Sequence, residues 1–134
     1  MKPGSILAAL ALGAVALVGC STTSAQPALT LDVTTLNDSG VTGTVSLTPI
    51  DDGGTLLVID VEPGDHPNMP AHIHPGTCAD LVPQPTYALE SVIDGHSRTE
   101  LPVSREELLA GDQVVNMHFS NDQMSVYSAC VALS

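Results

Sequence analysis

The chain has 134 residues, with 15 acidic side chains against three basic ones and a formal net charge of −12. Lys2 is one of the three cations, so everything beyond position 20 sets Arg98 and Arg105 against all fifteen acids, a net −13 with histidine neutral. Such a surface repels nucleic acid and anionic lipid headgroups, which argues against either as a partner; it attracts cations, but acidity also serves plain solubility and does not by itself establish a metal site.

From the N-terminus, Lys2 precedes a 13-residue apolar run, Ile6 to Val18. The run is short for a bilayer span and small residues follow it, the pattern of a secretory signal peptide. It closes on Leu17-Val18-Gly19-Cys20, which resembles the bacterial lipobox and implies cleavage before Cys20 and lipidation of that cysteine. Residues 1–19 are therefore expected to be a lipoprotein signal peptide, and residues 20–27 a lipidated cysteine with a flexible tether. Each acyl methylene buried in the bilayer contributes about 0.8 kcal/mol, so several chains on one residue anchor stably. The expected location is the outer face of a bacterial membrane or the periplasm, with membrane contact through the lipid only. The alternative is an ordinary signal peptide and a freely secreted product.

Residues 28–134 remain for one domain, long enough for a modest core. That core is expected to be aliphatic, because Tyr87, Phe119 and Tyr127 are the only aromatics and tryptophan is absent. With Cys20 assigned to lipid, Cys78 and Cys130 form an even pair in an oxidising compartment, and a disulfide between them is expected. A loop of that length adds about 4 kcal/mol on the chain-entropy model. Two thiols helping to hold a soft metal are the alternative.

Leu29, Leu31 and Val33 alternate with Thr30, Asp32 and Thr34, a period of two that predicts a half-buried strand. After the turn cluster Asn37-Asp38-Ser39-Gly40, Val41, Val45 and Leu47 alternate with threonine and serine as a second strand. Asp51-Asp52-Gly53-Gly54 turns the chain into a third, with Leu57, Ile59 and Val61 inward. Pro63 to Pro70 is a loop, Ala71 to His74 a short strand, and Pro75 to Pro85 an irregular stretch containing Cys78. Strand-like segments at 86–93 and 97–103 join through Asp94-Gly95. Ser104-Arg105-Glu106-Glu107 fits a capping box before Leu108 and Leu109, predicting one or two helical turns ended by Gly111. Segments 114–119 and 125–133 complete the set. Short strands with a turn about every 8–12 residues predict an all-β fold, an antiparallel Greek-key sandwich or barrel with one short helix.

The chemistry concentrates in Pro70-Ala71-His72-Ile73-His74-Pro75-Gly76-Thr77-Cys78. Residues two apart on a strand share a face, so His72 and His74 point together while Ala71 and Ile73 point the other way. Further on, Val115, Met117 and Phe119 form an apolar stripe for the core, which turns Asn116 and His118 away from it. Neutral imidazole suits copper and zinc, and three of them on strands can converge on one ion. A partly exposed histidine at a strand end is the ordinary alternative. For a fourth ligand the candidates are His66 and Met69, in the loop just before the pair, and His96, which its turn setting makes solvated. A methionine would favour Cu(I).

In this order the motifs resemble the Cu/Zn superoxide dismutase family: His-x-His followed by a glycine and a cysteine, a later strand ending in one histidine, and a final Ala129-Cys130-Val131. Gly40 to Val45 and the hairpin at Asp51 to Gly54 are similar to the family's opening strands, so the likeness spans residues 39–134. It implies a Greek-key β-barrel, copper held by His72, His74 and His118, and a Cys78–Cys130 disulfide. The departures are equally specific. Only seven residues, none a histidine, separate Cys78 from Thr86, so the bridging histidine and the zinc ligands are absent and no zinc site is expected. The connection from His118 to the final strand shrinks to Ser120–Met124, and Tyr127 stands where the family's anion-guiding arginine would fall. These features point to a copper-binding, superoxide dismutase-like envelope lipoprotein that handles metal with little or no turnover. The alternatives are a copper-only superoxide dismutase and a non-enzymatic chordin-type adhesion or scaffolding domain, which looks similar around Ala71-His72-Ile73-His74. A zinc hydrolase would need a carboxylate base, and Asp80 is the one acid close behind the paired histidines.

Overall fold

The computed structural model describes Met1, Gly4, residues 13–20 and residues 25–134. Lys2, most of the apolar run and Ser21 to Ser24 of the tether lie outside the described residues. Among the described residues no helix is long and apolar enough to cross a membrane.

Period-two alternation produces strands β1 (Leu29–Asp32), β2 (Thr34–Thr35), β3 (Thr42–Pro49), β4 (Thr55–Glu62), β5 (Asn68–Met69), β6 (Ala71–Pro75), β7 (Tyr87–Ala88), β8 (Val92–Ile93), β9 (His96–Leu101), β10 (Gln113–His118) and β11 (Tyr127–Ala132). They form two antiparallel sheets, one in the order β1-β3-β4-β9-β8-β5 and the other β2-β11-β10-β6-β7. Val45, Leu47, Leu57 and Ile59 of the first sheet share one buried cluster with Ala71, Ile73, Val115, Met117, Ala129 and Val131 of the second. The core is aliphatic, as composition demands, with Tyr87 packed only at its margin. Each fully buried leucine or isoleucine contributes about 1.5–3 kcal/mol, so a core without aromatics still suffices for a domain of this size.

Three local expectations change. The stretch 86–93 is two strands in different sheets: Tyr87–Ala88 pairs with β6, whereas Val92–Ile93 pairs with β5 and β9. Side chains of β9 interrupt the ladder, since Thr99 Oγ1 accepts from the Glu90 N–H (2.9 Å) and Ser97 Oγ donates to the Glu90 carbonyl (3.0 Å). The helix, α1 (Arg105–Leu109), starts as predicted, with Ser104 Oγ accepting from the Glu107 N–H. It ends at Leu109, with Ala110 in the right-handed region as C-cap, so Gly111 is not the left-handed stop. Finally, β10 ends at His118 with a register shift after Met117, and Phe119 turns out of the core stripe to stack on His66, ring centroids 4.4 Å apart.

The loop after β6 doubles back along that strand. The Val82 N–H donates to the Pro75 carbonyl and the Thr86 N–H to that of Ile73, each at 2.8 Å. Gly76 makes the reversal, at φ +110, where a Cβ would run into the Asp80 carbonyl. A Cys78–Cys130 disulfide, S–S 2.05 Å, then ties the loop to β11, two strands away. The outer face of β10 is consequently buried as well: Val114 and Asn116 are fully enclosed and His118 nearly so. Replacing both cysteines with serine is expected to lower the unfolding free energy by about 4 kcal/mol on the chain-entropy model, read from urea denaturation of the metal-free protein.

Candidate metal centre

Strand pairing sets the site. β6 and β10 run antiparallel with His72 opposite Asn116 and His74 opposite Val114. His118 lies two residues beyond Asn116 on the same face, and its N–H donates to the Pro70 carbonyl at 2.9 Å. The two paired histidines and the third therefore meet on the outer face of the second sheet. Their ring centroids are 5.1 Å (72–118), 5.6 Å (72–74) and 6.3 Å (74–118) apart.

Backbone carbonyls orient two of the three rings. His74 Nδ1 donates to the Val82 carbonyl at 2.9 Å, and His118 Nδ1 donates to the Met124 carbonyl at 2.6 Å. A carbonyl only accepts, so each neutral ring carries its proton on Nδ1 and presents Nε2 as a lone pair. His74 Nε2 is buried and has no protein partner. His118 Nε2 lies 3.1 Å from His72 Nδ1. One ligand atom from each residue can be chosen so that all three lie within 4.8 Å of one another, a group that could hold a metal ion. An ion with nitrogen ligands at about 2.0–2.1 Å spaces those nitrogens about 3.3–3.6 Å apart, so the His72–His118 pair is already near that spacing and His74 has a short distance to close. The orphaned His74 Nε2 and the all-imidazole donor set fit a borderline or soft cation better than a hard one.

The rings form part of the wall of a cavity of about 470 Å³. Pro83 and Pro85 come to it from the disulfide loop, Met124 and Ser125 from the connection into β11, and Tyr127 from the start of β11. The Tyr127 ring packs edge-on to His118 at 5.2 Å. Burial holds the His72 and His118 imidazoles below their usual protonation range, and the neighbouring histidines push the same way; the Met124 carbonyl partly offsets this for His118. Both are thus biased toward the neutral form that binds metal. Among the described residues no carboxylate joins the group, and Asp80 is exposed on the loop and absent from the cavity wall.

The candidates for a fourth ligand are placed elsewhere. His66 stacks on Phe119. Met69 is fully buried in the core, and its Sδ accepts from Ser128 Oγ at 3.2 Å. His96 is exposed at the start of β9. Sequence reasoning missed the two carbonyl anchors, the cavity positions of Met124 and Tyr127, and the burial of Asn116, whose amide lies between His72 and Cys130 in the cross-strand row with no partner for either atom. The one available signal was the shortness of the Ser120–Met124 connection, which leaves its last residue close to His118. Comparison of the chain with protein-family models, with curated proteins and with solved structures found no match.

The two lowered histidines also link stability to pH. The folded state binds fewer protons here than the unfolded chain, so this contribution is full above pH 6.5 and is lost as pH falls through the folded values. Urea denaturation of the metal-free protein should show unfolding free energy falling as pH drops below 6.5, and falling less in a His72→Gln/His118→Gln variant.

Proposed function

We propose that this chain is a copper-binding envelope lipoprotein of superoxide dismutase-like build, one that holds or passes on copper with little or no dismutase turnover. The observation that carries the reading is the convergence of His72, His74 and His118, two of them aimed by backbone carbonyls. Copper is favoured over zinc on two grounds. Imidazole sites bind Cu(II) more tightly than Zn(II) in the Irving–Williams order, and the group lacks the carboxylate a zinc hydrolase would use as a base. When bound, copper would supply a redox-active centre. The chain's own part is to present three imidazoles on the wall of one cavity, which Pro83, Pro85, Met124 and Tyr127 also line.

Low turnover follows from charge. Fast capture of superoxide needs positive potential near the metal. Neither arginine lines the cavity: Arg98 pairs with Glu100 on β9, and Arg105 donates to the Pro27 carbonyl and to Gln26 Oε1. The fifteen acids repel an anion further. Acquisition or storage of a cation gains from the same field. The antiparallel two-sheet architecture is compatible with the Greek-key barrel that the resemblance implies, and the lipidated Cys20 would keep the site at a membrane face. The Cys78–Cys130 disulfide speaks against the chordin-type alternative.

Titration with Cu(II), Cu(I) and Zn(II), paired with a dismutase assay, tests the proposal. One copper per chain is expected, bound more tightly than about 1 µM and at least about a hundredfold weaker in His118→Ala, with activity no greater than that of free copper. Activity well above free copper and lost in His118→Ala would make the chain a copper-only dismutase. No metal binding tighter than micromolar would favour the adhesion or scaffolding alternative.

A further inference from the structure

We infer that the Met124 thioether is the fourth ligand of this centre and tunes it to Cu(I). The inference rests on the metal-site reading above and goes beyond it by naming the last donor and the oxidation state.

Met124 belongs to the cavity wall together with all three histidines. Its backbone is held there. The Gln123 N–H donates to the Ser120 carbonyl at 3.1 Å, the Val126 N–H to that of Gln123 at 3.0 Å, and the Phe119 N–H to that of Val126 at 2.9 Å. The Met124 carbonyl accepts from His118 Nδ1, which ties this residue's backbone to a candidate ligand. The side chain is less constrained. Met124 is 41% exposed, while Met69 and Met117 are wholly buried. An exposed methionine leaves apolar surface in water, and its three rotatable bonds let it adapt to an ion in the cavity.

Donor chemistry narrows the choice. Besides the imidazoles, the wall offers the Ser125 and Tyr127 hydroxyls, which are hard donors, and the Met124 sulfur, which is soft. A set of three imidazoles and one thioether carries no charge and suits a soft monovalent ion. Zinc gains little from the thioether, so the methionine discriminates as well as binds. Met69 cannot take this role without leaving the core and breaking its contact with Ser128 Oγ.

The test uses the lipidated mature chain, in which Cys20 offers no free thiol, loaded anaerobically with Cu(I). X-ray absorption should show one sulfur among nitrogen scatterers in the wild type, lost in Met124→Leu and kept in Met69→Leu, a volume-conserving core swap. Competition with a chromogenic Cu(I) chelator should show Met124→Leu weaker by about tenfold or more, with Zn(II) affinity within about twofold of wild type. A nitrogen-only shell around histidine-bound copper, unchanged in Met124→Leu, would overturn the fourth ligand and leave the three-histidine site standing. Absence of stoichiometric copper in the wild type would overturn both. Circular dichroism of Met124→Leu checks that it is folded; should it not be, Met124→Gln, which keeps the length and removes the sulfur, gives the same readouts.

Discussion

A one-residue slip between β6 and β10 would turn His72 and His74 into the aliphatic core and bring Ala71 and Ile73 to the outer face. The register is held from both sides. Ala71, Ile73, Val115 and Met117 are apolar and fully enclosed between the sheets, so a slip of β6 would bury imidazoles without partners and expose Ala71 and Ile73. The core therefore selects the alignment that sets three histidines together on the opposite face. The packing that stabilises the domain and the geometry of the site are one constraint.

A second layer covers that face. An antiparallel sheet commonly leaves its outer side to water, but here the disulfide ties the loop after β6 across to β11, and β10 is buried on both sides. Covering the histidines lowers the proton affinity of His72 and His118, strengthens the bond from His118 to the Met124 carbonyl, and supplies the Val82 carbonyl that aims His74. The arrangement resembles the outer shell of a metal site, where the second nitrogen of each ligating histidine donates to a fixed acceptor. The acidic surface acts at longer range, raising the local concentration of cations and lowering that of anions.

Much of this was legible in the sequence because it depends on parity. Alternation placed Leu57, Ile59 and Val61 inward and joined His72 to His74, and the capping residues located the helix start at Ser104. What escaped depends on contacts between distant segments. The break in 86–93 arises from Thr99 and Ser97 binding the Glu90 backbone, which no local pattern announces. Phe119 sat in the apolar stripe by count, but the register shift after Met117 sends it to His66. Met69 was a fair ligand candidate by its nearness in sequence to His72, yet it ends strand β5 and its unbranched apolar side chain was captured by the core. Met124 is far from the paired histidines in sequence and reaches the site only because β10 and β6 are neighbours.

On the proposed reading, copper handling as opposed to copper catalysis is a question of what surrounds three nitrogens, where among the described residues no cationic side chain lines the cavity. The most direct test of the central claim is anomalous diffraction at the copper absorption edge from crystals of the copper-loaded protein. The account predicts one strong peak enclosed by His72 Nδ1, His74 Nε2 and His118 Nε2. A strong peak elsewhere on the acidic surface, with His72 and His118 still bonded to each other and His74 Nε2 still without a partner, would contradict it.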